Sequence, residues 1–189
     1  MDDALEHLNA LPPAEASVEL LKCCGSTRWA RAMCEERPFR DTRSLLKTAD
    51  RVWWSLGHED WLEAFLSHPK IGGRKAARET GEEARRWSED EQKGTSGAGR
   101  DVLAALAEAN HAYEERFGHI FIVCAMGKSA AEMLALLRAR IDNDAETELR
   151  VAAEEQRRIT HLRLEKLIKR NQEPEVRSRK LSSSPAADS

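Results

Sequence analysis

Apolar residues along this chain mostly recur at helical spacing, three and four positions apart, with little of the strict alternation that marks half-buried strands. Val18, Leu21 and Cys24 fall on one side of a helix expected over about 15–24. Gly25, Ser26 and Thr27 then stop that helix and cap a second one carrying Trp29, Ala32 and Met33. The run from Arg37 to Asp41 contains Pro38 and reads as a turn, with Asp41 as N-cap of a helix over 42–56. Leu45, Ala49, Val52 and Trp53 give that helix its inward face. Asp60 is expected to begin the next helix, with Glu63 at the capping-box position. That helix runs into Phe65-Leu66-Ser67-His68-Pro69-Lys70-Ile71-Gly72-Gly73.

A charged, glycine-containing stretch over 74–100 follows, with a short helix expected after Ser88. A long helix over about 100–116 carries Val102, Leu106, Ala109 and Tyr113. Phe121, Ile122, Val123, Cys124 and Ala125 form an unbroken apolar run too short to type by periodicity. Ser129 and Glu132 form a capping box that opens a helix with Met133, Leu136, Leu137 and Ile141. Asp144 caps a last, long helix reaching about Arg170. The fold class this predicts is all-α: a single compact multi-helix domain over 1–170 with a long C-terminal helix. The polar stretch 171–189, with Ser182, Ser183, Ser184 and Pro185, is expected to be a disordered tail.

Composition narrows the function classes. The 189 residues are 41% hydrophobic, enough for one real core. Charged residues make up 33%, yet the net charge is only -3, without the basic stripe that nucleic acid requires. No apolar run approaches the roughly 20 residues of a membrane span. The acidic start, Met1-Asp2-Asp3, lacks the basic and apolar segments of a signal peptide, and the final Ala187-Asp188-Ser189 is not a peroxisomal tripeptide. A cytoplasmic location is expected. Cys23, Cys24, Cys34 and Cys124 show no CxxC spacing and read as reduced, mostly buried thiols. Glu108 and His111 form the lone ExxH of the chain, whereas a di-iron bundle needs two such motifs and two further glutamates, so no metal is expected. Gly127-Lys128-Ser129 imitates the end of a phosphate loop, but the required glycine five residues earlier is Ile122.

Three places carry candidate chemistry. The proline after His68 pushes the histidine out of helical geometry, so its ring is aimed from a fixed corner. The same context also suits a histidine that satisfies the carbonyls ending the preceding helix. Glu91 belongs to a Ser88-to-Glu91 capping box, and Gln92 beside it reads equally as a surface amide. Arg163 is the most pointed case. Leu149, Ala152, Gln156, Ile159, Arg163 and Leu167 share one face of the last helix, which places a guanidinium inside an apolar stripe. Such a charge is costly unless it meets an internal glutamate or a bound carboxylate, or its stem reaches water.

Several stretches together resemble one family. They are Cys23–Met33, Arg37–Phe39, Asp60–Gly72, Glu91–Gln92, Tyr113–Leu134 and Glu155–Leu167. In this ordered set the chain resembles the OHCU decarboxylases, the 2-oxo-4-hydroxy-4-carboxy-5-ureidoimidazoline decarboxylases of urate breakdown, over about residues 5–170. The resemblance implies that His68 is the catalytic acid and that Glu91 hydrogen-bonds to it and tunes its proton. It implies substrate contacts at Pro69, Ser88, Gln92 and the run Phe121, Ile122, Val123, Cys124 and Ala125, and an anion-holding role for Arg163. His119 stands where the family more often has phenylalanine, and Met126 occupies a variable position.

The implied reaction is cofactor-independent loss of CO2 to give (S)-allantoin. A C=N conjugated with the carboxyl-bearing carbon accepts the electron pair, so neither a cofactor nor a metal is expected. The negative charge of Glu91 is expected to raise the pKa of His68. A homodimer is implied, as are urate oxidase and hydroxyisourate hydrolase as separate pathway neighbours. The competing class is a non-enzymatic helical interaction module, in which His68 marks a helix stop, Glu91 a cap and Arg163 an internal ion pair; a decayed homologue is a narrower alternative.

Overall fold

The computed structural model describes residues 3–70, 86, 87, 90, 93 and 98–172. Among them are eight α-helices and no strand: α1 (Asp3–Ala10), α2 (Pro13–Cys23), α3 (Thr27–Glu35), α4 (Thr42–Ser55), α5 (His58–Phe65), α6 (Arg100–Phe117), α7 (Ala130–Arg140) and α8 (Ala145–Gln172). At 1.5 Å per residue, α8 is about 42 Å long. It is the column of the fold, with α1, α2, α4 and α5 packed along it, while α6 and α7 pair with one another.

Two apolar cores result. The larger surrounds α8 and contains Leu20, Trp29, Trp53, Phe65, Leu164 and Leu167. The smaller lies between α6 and α7 around Leu106, Tyr113, Met133 and Leu137. Three of the four tryptophans buried in the first core keep a hydrogen bond on the indole N–H. The indole N–H of Trp29 donates to Ala49 O (3.2 Å), that of Trp53 to Ala153 O (3.0 Å) and that of Trp61 to Trp53 O (3.1 Å). Each bond ties one helix to another, where a large ring would otherwise bury an unsatisfied donor.

Most expected helices stand where the spacing puts them. Asp41 caps α4 through Ser44 N–H (2.7 Å), and Leu45, Ala49, Val52 and Trp53 are its buried face. Ser129 and Glu132 form the expected box at α7, and Asp144 accepts from Thr147 N–H (2.9 Å) at the start of α8. The inward face of α2 is different: Ala16, Leu20 and Cys23 are buried, while Val18 is 57% exposed. Helix α1 had no distinct periodic signal and is held from outside, where the Arg37 guanidinium donates to Leu8 O (2.7 Å) and Leu11 O (2.8 Å).

Helix α5 begins two residues earlier than expected. Asp60 is not its first residue but reaches back to accept the Gly57 N–H (3.1 Å). Glu63 caps a neighbour instead, accepting from Thr27 N–H (3.1 Å) and Thr27 Oγ1 (2.7 Å) at the start of α3. Helix α8 continues through Gln172, and the rest of the expected tail, like the short helix expected after Ser88, lies outside the described residues.

Candidate active site

His68 follows the last turn of α5. That turn closes on its own backbone: Ser67 N–H donates to Ala64 O and His68 N–H to Phe65 O, both at 3.1 Å, while Ser67 Oγ donates to Ala64 O at 2.6 Å. The helix-end carbonyls are therefore met without the imidazole, and the helix-capping reading of His68 does not hold. Pro69, with no N–H to continue the helix, turns the chain away and leaves the ring facing inward. There Nε2 of His68 lies 2.7 Å from Oε1 of Gln156 on α8.

The turn between α2 and α3 presses against the same corner. A Cβ on Gly25 would lie 2.3 Å from both Cβ and Oγ of Ser67, so only glycine permits this approach. Cys23 and Cys24, just before it, are fully buried, and burial raises both thiols, Cys24 to about 12. They are inert as nucleophiles.

Arg163 is 2% exposed, which rules out a stem reaching water. Its charge acts on His68, which follows α5, and on Cys23 and Cys24 at the end of α2. The histidine keeps some exposure, but protein encloses its ring. Burial first and the Arg163 charge second push its pKa down to about 3, against the upward pull of the Gln156 bond. In the free protein His68 is thus neutral near pH 7. The upward pull expected from Glu91 belongs to a residue outside the described ones.

The run 121–125 is neither helix nor paired strand but an extended strap between the two cores. Phe121, Val123 and Ala125 face the α6–α7 core, whereas Ile122 and Cys124 face the core around α8. Its period is two, yet both faces are apolar, so the alternation is invisible in the sequence. Side chains satisfy the backbone that a sheet would otherwise pair. Arg140 donates to Ile122 O (2.8 Å), Cys124 N–H donates to Glu155 (2.7 Å), and Lys128 donates to Cys124 O (2.6 Å).

Arg140 is held in turn by Glu148, which is fully buried and accepts from Arg140 Nε (2.9 Å), Asn143 Nδ2 (2.8 Å) and the Tyr113 hydroxyl. Burial first, and the Glu148 bond second, raise the Tyr113 phenol, which remains a donor. The Arg140 guanidinium also lies 4.6 Å over the Phe121 ring. His119, before the strap, donates from Nδ1 to Ile120 O (3.1 Å) and has ring neighbours in Phe65, Tyr113 and Phe117. Burial lowers its pKa. It fills an aromatic position as an aromatic ring.

Of the residues expected at the site, the structure gathers His68, Pro69 and Arg163 around the α5–α8 contact and places Phe121–Ala125 as the strap pinned to α8 through Glu155. Ser88, Glu91 and Gln92 lie outside the described residues. Gln156 was legible only as a member of the α8 stripe. Yet the argument that singled out Arg163, a polar group in an apolar face, applies equally to Gln156 and Thr160, which are 0% and 4% exposed. Among the described residues no helix is long and apolar enough to cross a membrane, and no group of three or more His, Cys, Asp or Glu side chains is placed to hold a metal ion.

Comparison with known proteins gives the family and the fold. Residues 9–165 match the family described as OHCU decarboxylase. The chain is 38% identical over 147 residues to the uric acid degradation bifunctional protein TTL of Arabidopsis thaliana, covering 77% of this chain and 45% of that protein. It is 34% identical over 139 residues to the 2-oxo-4-hydroxy-4-carboxy-5-ureidoimidazoline decarboxylase of Mus musculus, covering 74% and 78%. A crystal structure of OHCU decarboxylase in the presence of (S)-allantoin superposes with a TM-score of 0.70 at 36% identity, over 80% of this chain and 98% of that one. The chain spans less than half the length of the bifunctional relatives from Arabidopsis thaliana and Bacillus sp..

Proposed function

The chain belongs to the OHCU decarboxylase family, and on that premise we propose that it converts 2-oxo-4-hydroxy-4-carboxy-5-ureidoimidazoline to (S)-allantoin and CO2. The observation that carries this reading is the juxtaposition of a corner-held imidazole, His68, bonded to Gln156 on α8, with a buried guanidinium, Arg163, further along the same helix, whose charge reaches the ring. Arg163 binds the anionic end of the substrate. When the C–COO⁻ bond breaks, CO2 leaves and its electron pair enters the conjugated C=N. His68 then gives a proton to one face of the resulting intermediate, which fixes the product's hand.

The low pKa of His68 in the free protein fits this cycle. A substrate anion seated on Arg163 offsets the charge that disfavours imidazolium, so the ring takes up its proton when the substrate is present. Glu91 assists by tuning that proton. Pro69, Ser88, Gln92 and the strap Phe121–Ala125 contact the ureido and ring amides, and no cofactor or metal takes part. In this reading residues 1–170 are the catalytic unit, 171–189 a tail, and the enzyme works in the cytoplasm as a homodimer. Urate oxidase and hydroxyisourate hydrolase act before it.

The test generates the unstable substrate in the cuvette with urate oxidase and hydroxyisourate hydrolase and follows circular dichroism of allantoin. Rapid growth of an optically active product with this chain supports the reading. Product that appears at the spontaneous rate and is racemic rejects it.

A further inference from the structure

We infer that Gln156, oriented by Thr160, is the positioning residue that holds the His68 proton on Nε2, which leaves Nδ1 as the nitrogen that exchanges a proton with the substrate. The inference rests on the decarboxylase reading for its second half only. Its first half is geometric. Thr160 Oγ1 has a single proton, and the Gln156 main-chain carbonyl at 3.0 Å and the Cys24 sulfur are the acceptors that take it, so it does not go to the Gln156 side chain. Its oxygen is then an acceptor for Nε2 of the Gln156 side chain, 3.2 Å away. That fixes the amide: its NH2 faces Thr160 and its carbonyl oxygen faces the histidine.

A carbonyl oxygen only accepts, so the partner at 2.7 Å, His68 Nε2, is the donor. The neutral ring is therefore the Nε2–H tautomer. In that neutral form the lone pair is on Nδ1, which no hydrogen bond reaches among the described residues. Because Gln156 is 0% exposed and Thr160 4% exposed, water does not compete for either group. In the reaction Nδ1 picks up a proton, passes it to the carbon that has lost CO2, and returns the ring to its Nε2–H form. One proton is consumed for each CO2 released. The Nε2–H···O bond persists through both protonation states, so the ring does not turn between cycles. Among the described residues the charge that acts on His68 is Arg163 on α8, which acts also on the Cys23 and Cys24 thiols at the end of α2.

The tautomer is read directly in the free protein. Long-range proton–nitrogen correlation spectra of the ¹⁵N-histidine-labelled chain, at mildly alkaline pH, distinguish Nε2–H from Nδ1–H, and His68→Asn assigns the signal. The expected spectrum shows His68 as Nε2–H; an Nδ1–H pattern overturns the inference. In Gln156→Leu the signature becomes a mixture of both tautomers and stereoselective turnover falls about tenfold or more. Gln156→Glu, whose carboxylate can only accept, restores the Nε2–H signature. Thr160→Val, which keeps the shape and should fold where Gln156→Leu does not, frees the amide to flip and weakens the preference. A His68 signature unchanged in Gln156→Leu or in Thr160→Val overturns the role of the relay. If the wild-type tautomer is Nε2–H while the wild-type chain makes no optically active product, the relay stands and the decarboxylase reading falls.

Discussion

At the scale of single residues, His68 is costly to the fold in a way that can be measured. Its folded pKa, about 3, lies below the ordinary 6.5, because burial and the Arg163 charge disfavour the imidazolium. The unfolded chain therefore binds a proton that the folded chain refuses. The stability held by neutral His68 is complete above pH 6.5 and is lost as pH falls from 6.5 toward about 3. Across that window the group accounts for at most about 1.4 kcal/mol per pH unit. His119, also lowered by burial, adds to the loss with the same sign. Urea midpoints measured against pH are expected to fall more steeply below 6.5 for the wild-type chain than for His68→Asn; parallel curves contradict the buried, neutral ring. Seating an anion such as allantoin's carboxylate precursor on Arg163 is expected to raise the His68 pKa, visible as a shift of its ring titration.

Elements contribute by holding that residue still. Gly25 and Ser67 show how two helix connections are pressed together: the space for one methyl group is missing. Gly25→Ala should cost about 1–3 kcal/mol, as overpacking does, and should lower turnover by displacing the residue next to His68. Thermal unfolding together with the turnover assay would show both; an unchanged turnover means that the corner is not set from this side. The strap 121–125 depends on Arg140, and Arg140 on Glu148. Glu148→Gln leaves a buried guanidinium without its counter-charge and should cost about 3–5 kcal/mol in chemical denaturation. A loss under 1 kcal/mol would mean that Tyr113 and Ile122 O suffice.

On the scale of the whole molecule, α4 was legible because it exposes a polar side and keeps the period of 3.6, while α7 and α8 were marked by their N-terminal caps, the Ser129–Glu132 box and Asp144. Helix α1 was not, since eight residues with Leu5 and Leu8 buried form too short a pattern and Arg37, 27 positions beyond its last residue, Ala10, completes its end. The strap was not, since a segment buried on both faces shows no contrast between them. His68 and Arg163 could be singled out because each breaks a local rule, a ring before a proline and a charge in an apolar stripe. Their meeting could not, because it depends on α5 crossing α8, a contact spanning 88 positions between His68 and Gln156. The roles of Glu91, Ser88 and Gln92 came from the family resemblance alone.

The central claim is that this crossing makes His68 the source of the stereospecific proton. The measurement that tests it most directly is the circular dichroism of allantoin formed from freshly generated substrate, with wild type and His68→Asn compared at equal concentration and equal helicity. The account predicts an optically active product from wild type and only slow, racemic product from His68→Asn. Optically active product at the wild-type rate from His68→Asn would contradict it.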